Sequence, residues 1–373
     1  MATVIKSDVI STKNLGSLLE RIVPKNNLTG FFDFSNDKYS IRGEEVPFSQ
    51  MFTVNRNSTA QGLNKNKELV TYGINTPRFH LVESVGKYGL ALGDNSKNYF
   101  LNSNAPATQS ITFNEGTERR FFVLVRAKGS GSVTVSGSGI TTFTVNGGEE
   151  KVVKMTSLSN TINVAVSGTL TYVQVTRVTT PYGVDPTETE TTGTKVVKSQ
   201  DITSVNTSVF ASLMNAKNGT VFLKYVTFDG GDLSLTPGSN NTIEVLSAAP
   251  IAANGGYVSW LQHTDGTHGK LFIRKQKSGS VLESSTIVDV PINKVNVIAF
   301  TMSDKKASVF MNGVFSKLPG VNTETVDPYI SNLPFLPSLN NVYIAPNWIV
   351  SNMLVYDKVM SDSEIGDIFN MLK

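Results

Sequence analysis

The sequence predicts a mostly β protein: two antiparallel β-sandwich (jelly-roll) domains in tandem, a short N-terminal segment and a C-terminal helix. Three observations predict it. Apolar and polar residues alternate with period two over much of the chain, Gly- and Asn-rich turn sequences separate the runs, and helical spacing is confined to the two ends.

In chain order, Leu15 to Ile22 carries the first helical pattern. The middle of the chain then alternates: Ser132-Val-Thr-Val-Ser136, Thr141-Thr-Phe-Thr-Val-Asn146, Thr161-Ile-Asn-Val-Ala-Val-Ser167 and Thr169-Leu-Thr-Tyr-Val-Gln-Val-Thr176. β-Branched residues on both faces of such runs suit half-buried strands. Gly129-Ser-Gly131, Ser136-Gly-Ser-Gly139, Asn146-Gly-Gly148 and Ser167-Gly168 read as the turns between them. Residues 179 to 195 hold two prolines and little apolar content, which reads as a linker. Beyond it, strands are expected at Thr220–Phe228, Gly256–Gln262, Lys270–Lys275, Val295–Thr301, Ala307–Met311 and Asn341–Ala345. Asn312-Gly313 predicts a tight hairpin, because both residues accept the positive φ of a type I′ turn. Ser361-Asp-Ser-Glu364 is a capping box, and Ile365, Ile368, Phe369 and Leu372 follow at helical spacing. The expected division is therefore 1–30 as a terminal segment, 31–178 as a first sandwich, 179–195 as linker and 196–373 as a second sandwich.

Composition narrows the function. The chain has 373 residues and no Cys, which removes disulfide scaffolds, thiolate metal sites and a Cys nucleophile. Its 33 basic and 30 acidic residues leave a net charge of +3, too little to argue for nucleic acid or an anionic membrane. The apolar runs are far shorter than the roughly 20 residues of a spanning helix, so membrane insertion is not expected. The first residues, Met-Ala-Thr-Val-Ile-Lys-Ser-Asp, show no apolar core of a signal peptide. Charged residues make up 17 %, below the roughly 25 % of average domains. Ser, Thr, Asn and Gly fill the difference.

Two resemblances follow. Asn296-Val-Ile-Ala-Phe-Thr301, Lys306-Ala-Ser-Val-Phe-Met-Asn-Gly313 and the closing Ser351-Asn-Met-Leu-Val-Tyr-Asp-Lys-Val-Met-Ser-Asp-Ser-Glu-Ile365 resemble the concanavalin A-like, laminin-G-like jelly roll, over residues 196 to 373. Over residues 31 to 128, Phe52-Thr-Val-Asn-Arg-Asn-Ser-Thr-Ala60, Thr76-Pro-Arg-Phe79 and Gly89-Leu-Ala-Leu-Gly-Asp-Asn-Ser-Lys-Asn98 resemble a module of tailed-bacteriophage virion proteins. That module opens a carbohydrate-binding-module-like sandwich. Here Gly93-Asp94 stands where the module carries its Glu.

Enzymatic chemistry finds little support. No Glu-x-Asp-x-x-Glu run supplies the paired carboxylates of a glycosidase; Asp229-Gly-Gly-Asp232 is turn chemistry and Glu188-Thr-Glu190 lies in the linker. P-loop, Gly-x-Ser-x-Gly and His-Glu-x-x-His motifs are missing. His263, Asp265 and His268 are close enough in sequence to reach one metal ion, but their setting between two strands reads as an exposed hairpin loop, so no metal and no cofactor is expected. Flat rings stack on the apolar faces of sugars, which makes Trp260, Trp348, Tyr257 and Tyr329, with Tyr343 beside them, the candidate ligand-binding residues. Tyr257 and Trp260 are three apart on one strand and so belong to opposite faces. Core packing is the competing role for each.

The resemblances together imply a structural protein on the outer surface of a tailed-phage virion (a fibre, collar appendage or capsid decoration), made in the host cytoplasm. Its partners would be other virion proteins, its own copies (a trimer by analogy) and host-surface polysaccharide. A lectin-like receptor-recognition protein and a glycan hydrolase are the alternative readings. Ser7 to Pro24 is the stretch expected to attach it to the particle, with a helix capping the first sandwich as the other role for the same residues.

Overall fold

The computed structural model describes residues 18–93, 96–113, 122–156, 161–178, 189–198, 202–214, 218–227, 242–248, 256–263, 268–277, 280–291, 293–302, 307–317 and 348–373. It is mostly β, with antiparallel sheets and a C-terminal helix, as the alternation predicts.

The chain runs through three stretches. The first carries α1 (Leu18–Ile22), β1 (Leu28–Asp33), β2 (Lys38–Ile41), β3 (Glu44–Glu45), α2 (Phe48–Met51), β4 (Phe52–Asn55), β5 (Ala60–Leu63), β6 (Leu69–Tyr72), β7 (Phe79–Val82) and β8 (Lys87–Leu92). The second carries β9 (Ser96–Asn98), β10 (Gln109–Thr112), β11 (Phe122–Gly137), β12 (Phe143–Asn146), β13 (Glu150–Lys154), β14 (Thr161–Val178) and β15 (Val196–Lys198). The third carries β16 (Ile202–Val205), α3 (Thr207–Leu213), β17 (Gly219–Thr227), β18 (Thr242–Ala248), β19 (Gly256–His263), β20 (His268–Lys277), β21 (Ser280–Pro291), β22 (Val295–Met302), β23 (Ala307–Met311), β24 (Val314–Lys317), β25 (Trp348–Tyr356) and α4 (Asp362–Leu372).

The first and third stretches share one sheet. Its order is β24-β23-β22-β17-β25-β1-β2-β3, and β8, itself paired with β7, also joins β25. β25 is buried at all nine positions because both its edges and both its faces are covered. One edge takes β17; the other is divided between β1, opposite Asn352 to Tyr356, and β8, opposite Trp348 to Val350. This corrects the expected division of the chain. The unit drawn over 31–178 cuts through a sheet, since β1 and β8 pair with β25, which begins at Trp348, and β2 and β7 join the sheet through them. Local alternation reports that a strand forms and is silent on which partner takes its edge.

Residues 96–198 form a separate sheet, set into the other at a stem. β9 and β15, where the chain leaves and returns, pair antiparallel: Ser96 with Lys198 and Asn98 with Val196. Within this insert, β11 and β14 pair over almost their whole lengths. β13 flanks the first half of β11 and β12 the second, while β10 flanks the first half of β14. The long β11–β14 pair bends in its middle, so the two halves enclose Val123, Val125, Val133, Val135, Ile162, Val164, Val173 and Val175. Gly129, Gly131 and Gly168 sit at this bend with positive φ (103°, 157° and 75°). The sequence reading placed turns at Gly129-Ser-Gly131 and Ser167-Gly168; both lie inside strands, as corners. A bend and a turn need the same backbone freedom, so the two are indistinguishable by residue type.

The expected linker is also corrected in part. Thr189 and Thr191 are buried in the insert: Asn98 Nδ2 donates to the Thr189 carbonyl (2.6 Å) and Thr191 N donates to Ser103 Oγ (2.8 Å). Backbone groups and the Thr191 hydroxyl, satisfied by this polar network, tolerate burial that composition alone argues against.

The ten-stranded sheet carries a hydrophobic core on each face. On the inner face Phe32, Phe34, Phe52, Phe210, Leu223, Tyr225, Trp348 and Met353 form the main core with α2, α3 and Val290 of β21. On the outer face Phe31, Phe222, Leu354 and Tyr356 meet Val23, Ile365, Ile368 and Leu372 of the terminal helices. Ile365, Ile368 and Leu372 are fully buried, and at roughly 1.5–3 kcal/mol each they outweigh any cap as the source of α4 stability. The cap sets where the helix begins. Ser361 Oγ accepts from Glu364 N, and Glu364 Oε2 accepts from Ser361 N at 2.8 Å. The hairpin turn is as predicted: Asn312 and Gly313 have φ of 48° and 100° between β23 and β24.

The capping box predicts a pH dependence. Hydrogen bonds from Lys358 and Ser361 hold the Glu364 carboxyl down to about 2. A lowered carboxyl contributes stability above its unfolded value and loses it as pH falls toward the folded one. Thermal unfolding between pH 5 and 2 should therefore show a Glu364-dependent fall that is missing in Glu364→Gln. Ser361→Ala should cost about 1 kcal/mol at neutral pH.

Candidate functional site

The sequence-predicted residues separate. Trp348 opens β25 at 1 % exposure, with its ring stacked on Tyr225 (centroids 4.6 Å apart, 27° between planes). It is a core residue, and its faces are not open to a sugar. Tyr257 and Trp260 lie on β19, opposite Lys275 and Phe272 of β20. Their side chains, and Tyr329, Tyr343 and Asp265 altogether, lie outside the described residues. His263 ends β19 and His268 begins β20, so they flank a hairpin as expected. Among the described residues no group of three His, Asp or Glu is placed to hold a metal ion.

Arg56, Arg78, His80 and Asn98 act as fasteners. Arg56 is buried; its Nε donates to the Ser58 carbonyl (2.9 Å) and its Nη2 to the Gly73 carbonyl (2.6 Å). Arg78 Nη1 donates to the Gln61 carbonyl (3.2 Å), and His80 Nδ1 accepts from Leu63 N (3.1 Å). These bonds tie β5, β6 and β7 and their loops together. Asn98 sits at the stem of the insert, where its Oδ1 accepts from Phe100 N (3.0 Å) and Val175 N (3.1 Å).

Two surface features remain. On α1, Leu19 and Val23 pack toward α4 and the sheet, while Leu18 and Ile22 on the other side are 66 % and 43 % exposed. Val359 and Met371, at either end of α4, are also exposed. Residues 18–30 thus belong to the fold through α1 and β1, which corrects the expectation of a separate segment over 1–30; residues 1–17 lie outside the described residues.

The second feature is a polar strip on the outer face of the ten-stranded sheet. Alternation places Lys224 between Phe222 and Val226, Asn352 beside Leu354, and Asp33 beyond Phe31. Register sets them side by side: Asn352 opposes Lys224 on β17 and Asp33 on β1. Lys87 joins from β8, whose Ala91 shares this face. Gly89 lets β8 pass close over β25 there, since a Cβ would stand 2.3 Å from the Val350 carbonyl oxygen. Asp33 is turned to its own turn, accepting from Asn36 N (3.2 Å) and Asn36 Nδ2 (2.9 Å). Lys224 is half-buried, and burial together with Lys87 pulls its amine down to about 8, Asp33 opposing them. Sequence reading missed this strip. Its one signal is a lysine inside the apolar run Val221-Phe-Leu-Lys-Tyr-Val226.

No protein-family model matches the chain, and no curated protein matches it. Among solved structures, a leech intramolecular trans-sialidase is similar at 14 % identity over 44 % of this chain and 24 % of its own, with a TM-score of 0.29. A Trypanosoma rangeli sialidase is similar at 14 % identity over 46 % and 26 %, with a TM-score of 0.32. Domain 4 of AbnA, a GH43 extracellular arabinanase from Geobacillus stearothermophilus, is similar at 16 % identity over 45 % and 72 %, with a TM-score of 0.30. The chain spans about a quarter of the length of the sialidases it matches.

Proposed function

We propose that this chain is a structural protein of the outer surface of a tailed-phage virion, joined to the particle through α1 and acting by binding rather than by turnover. The observation that carries the reading is the double apolar face of α1. Leu19 and Val23 hold the helix to its own fold, and Leu18 and Ile22 are left for another surface. Leu18 and Ile22 stand one helical turn apart and so present one apolar surface to a partner. The resemblance of residues 31 to 128 to a module of tailed-phage virion proteins supports the same reading, and in the structure an inserted β unit is carried on the paired β9–β15 stem. Such a build displays surface without needing a catalytic centre.

The test is a pair of exposed substitutions, Leu18→Ser with Ile22→Ser, in the gene carried by the phage. Both positions face solvent, so folding should change by less than about 0.5 kcal/mol each. Particles purified from the variant should lack the protein while the free chain remains folded in the lysate. Full incorporation of the variant would refute attachment through α1.

A further inference from the structure

We infer that Lys224, Lys87 and Asn352 form a binding site for one anionic group, a carboxylate or phosphate borne by a ligand, on the outer face of the ten-stranded sheet. Three observations support it. The two lysines come from strands far apart in sequence, β17 and β8, yet act on each other's charge across β25. Neither has a carboxylate within salt-bridge distance among the described residues. Asp33, the nearest acid by register, is fully buried and committed to Asn36. Two half-buried like charges with only one distant carboxylate between them and no salt bridge are costly, and proteins normally pair them or remove them. Lys38 on β2 shows the ordinary solution, a surface pair with Glu45 at 3.8 Å.

The arrangement also selects the ligand. Two ammonium groups against one aspartate leave a local charge of about +1, which matches a single acidic group rather than a polyanion. Asn352 adds an amide beside Lys224, with Asp33 on its other side in the same row. The strip is bounded on one side by Phe31, Phe222 and Leu354 and on the other by Val82, Val226 and Ile349. Those border residues are buried in the protein's own packing, so the site selects by charge, and a small acidic group, such as that of an acidic sugar or a phosphate ester, is the ligand class. This site stands apart from the α1 contact and does not depend on the virion reading.

Titration of the full chain with sodium phosphate, sodium glucuronate and glucose, followed by thermal shift and by ¹⁵N-labelled amide chemical shifts, tests it. We expect saturable binding of glucuronate or phosphate, shifts centred on residues 87–89, 224 and 352, and no response to glucose. Glucuronate alone would identify a sugar acid as the ligand; phosphate alone would identify a phosphate ester. Lys224→Gln and Lys87→Gln should each weaken binding at least tenfold, and Lys38→Gln should leave it unchanged. Lys224→Met should remove binding while raising Tm, which separates loss of the site from loss of the fold. Saturable binding that survives Lys224→Gln, or no binding of either anion at 50-fold the protein concentration and above, up to about 0.1 M where screening takes over, would overturn the inference.

Discussion

Gly147→Ala is expected to unfold the inserted sandwich. A Cβ at this position would stand 1.9 Å from the Gly129 carbonyl oxygen and 2.8 Å from its carbon, both backbone atoms of the strand that turns the corner. The corner cannot open to relieve the clash. Gly147 N donates to the Gly131 carbonyl (2.9 Å) and Gly148 N to the Ala127 carbonyl (2.8 Å), so moving the loop breaks the bonds that hold β11 bent. With the bend lost, the two halves of β11 and β14 no longer enclose their valines. A cost above about 4 kcal/mol is expected, which belongs to the extreme class of single substitutions. Gly43→Ala supplies the comparison: φ is +85° but no atom lies within 4 Å, so only conformational strain of about 1 kcal/mol applies. Native-state hydrogen exchange should show Val123, Val133, Val164 and Val175 unprotected in Gly147→Ala and protected in Gly43→Ala. Protection of these amides in both variants would refute the account of the corner.

Trp348→Ala should destabilise the ten-stranded sheet by about 3–5 kcal/mol, the range for emptying a buried aromatic site. Trp348 lies where β25 changes partner, opposite Leu92 of β8 on one edge and Thr227 of β17 on the other. Its ring covers Tyr225 in the main core, so truncation leaves a cavity between the sheet and the elements over its inner face. The consequence reaches any test of sugar binding. Loss of binding in Trp348→Ala would report an unfolded sheet, and Trp348→Phe, which keeps a ring in place, should retain it. Urea unfolding of both variants measures the difference. A Trp348→Ala chain as stable as the parent, yet deficient in glycan binding, would return the ring to the role of a ligand platform.

What was legible in the sequence follows the range of the forces involved. The hairpin at Asn312-Gly313 and the cap at Ser361 and Glu364 are contests between neighbouring backbone groups, and both stand as read. The strand at Thr161–Ser167 was equally legible, but its continuation through Gly168 into Thr169–Thr176 was not, because Gly168 permits a corner and a turn alike. Thr189 and Thr191 looked like linker because their satisfaction comes from Asn98, Ser103 and Phe100, more than eighty residues away. The polar strip was hidden for the same reason. Lys224 alone is one lysine in an apolar run, and it becomes part of a site only when register brings Asn352 and Lys87 beside it.

The sequence by itself determined that this chain is built of antiparallel strands closed by a capped helix, since period-two alternation, turn residues and the Ser361–Glu364 pairing act over a few residues. Only the tertiary structure decided that β1 and β8 divide one edge of β25, that residues 96–198 form an insert on a paired stem, and which polar side chains share a face. Strand edges carry the same donors and acceptors whatever their side chains, so the choice of partner is made by burial across the whole fold.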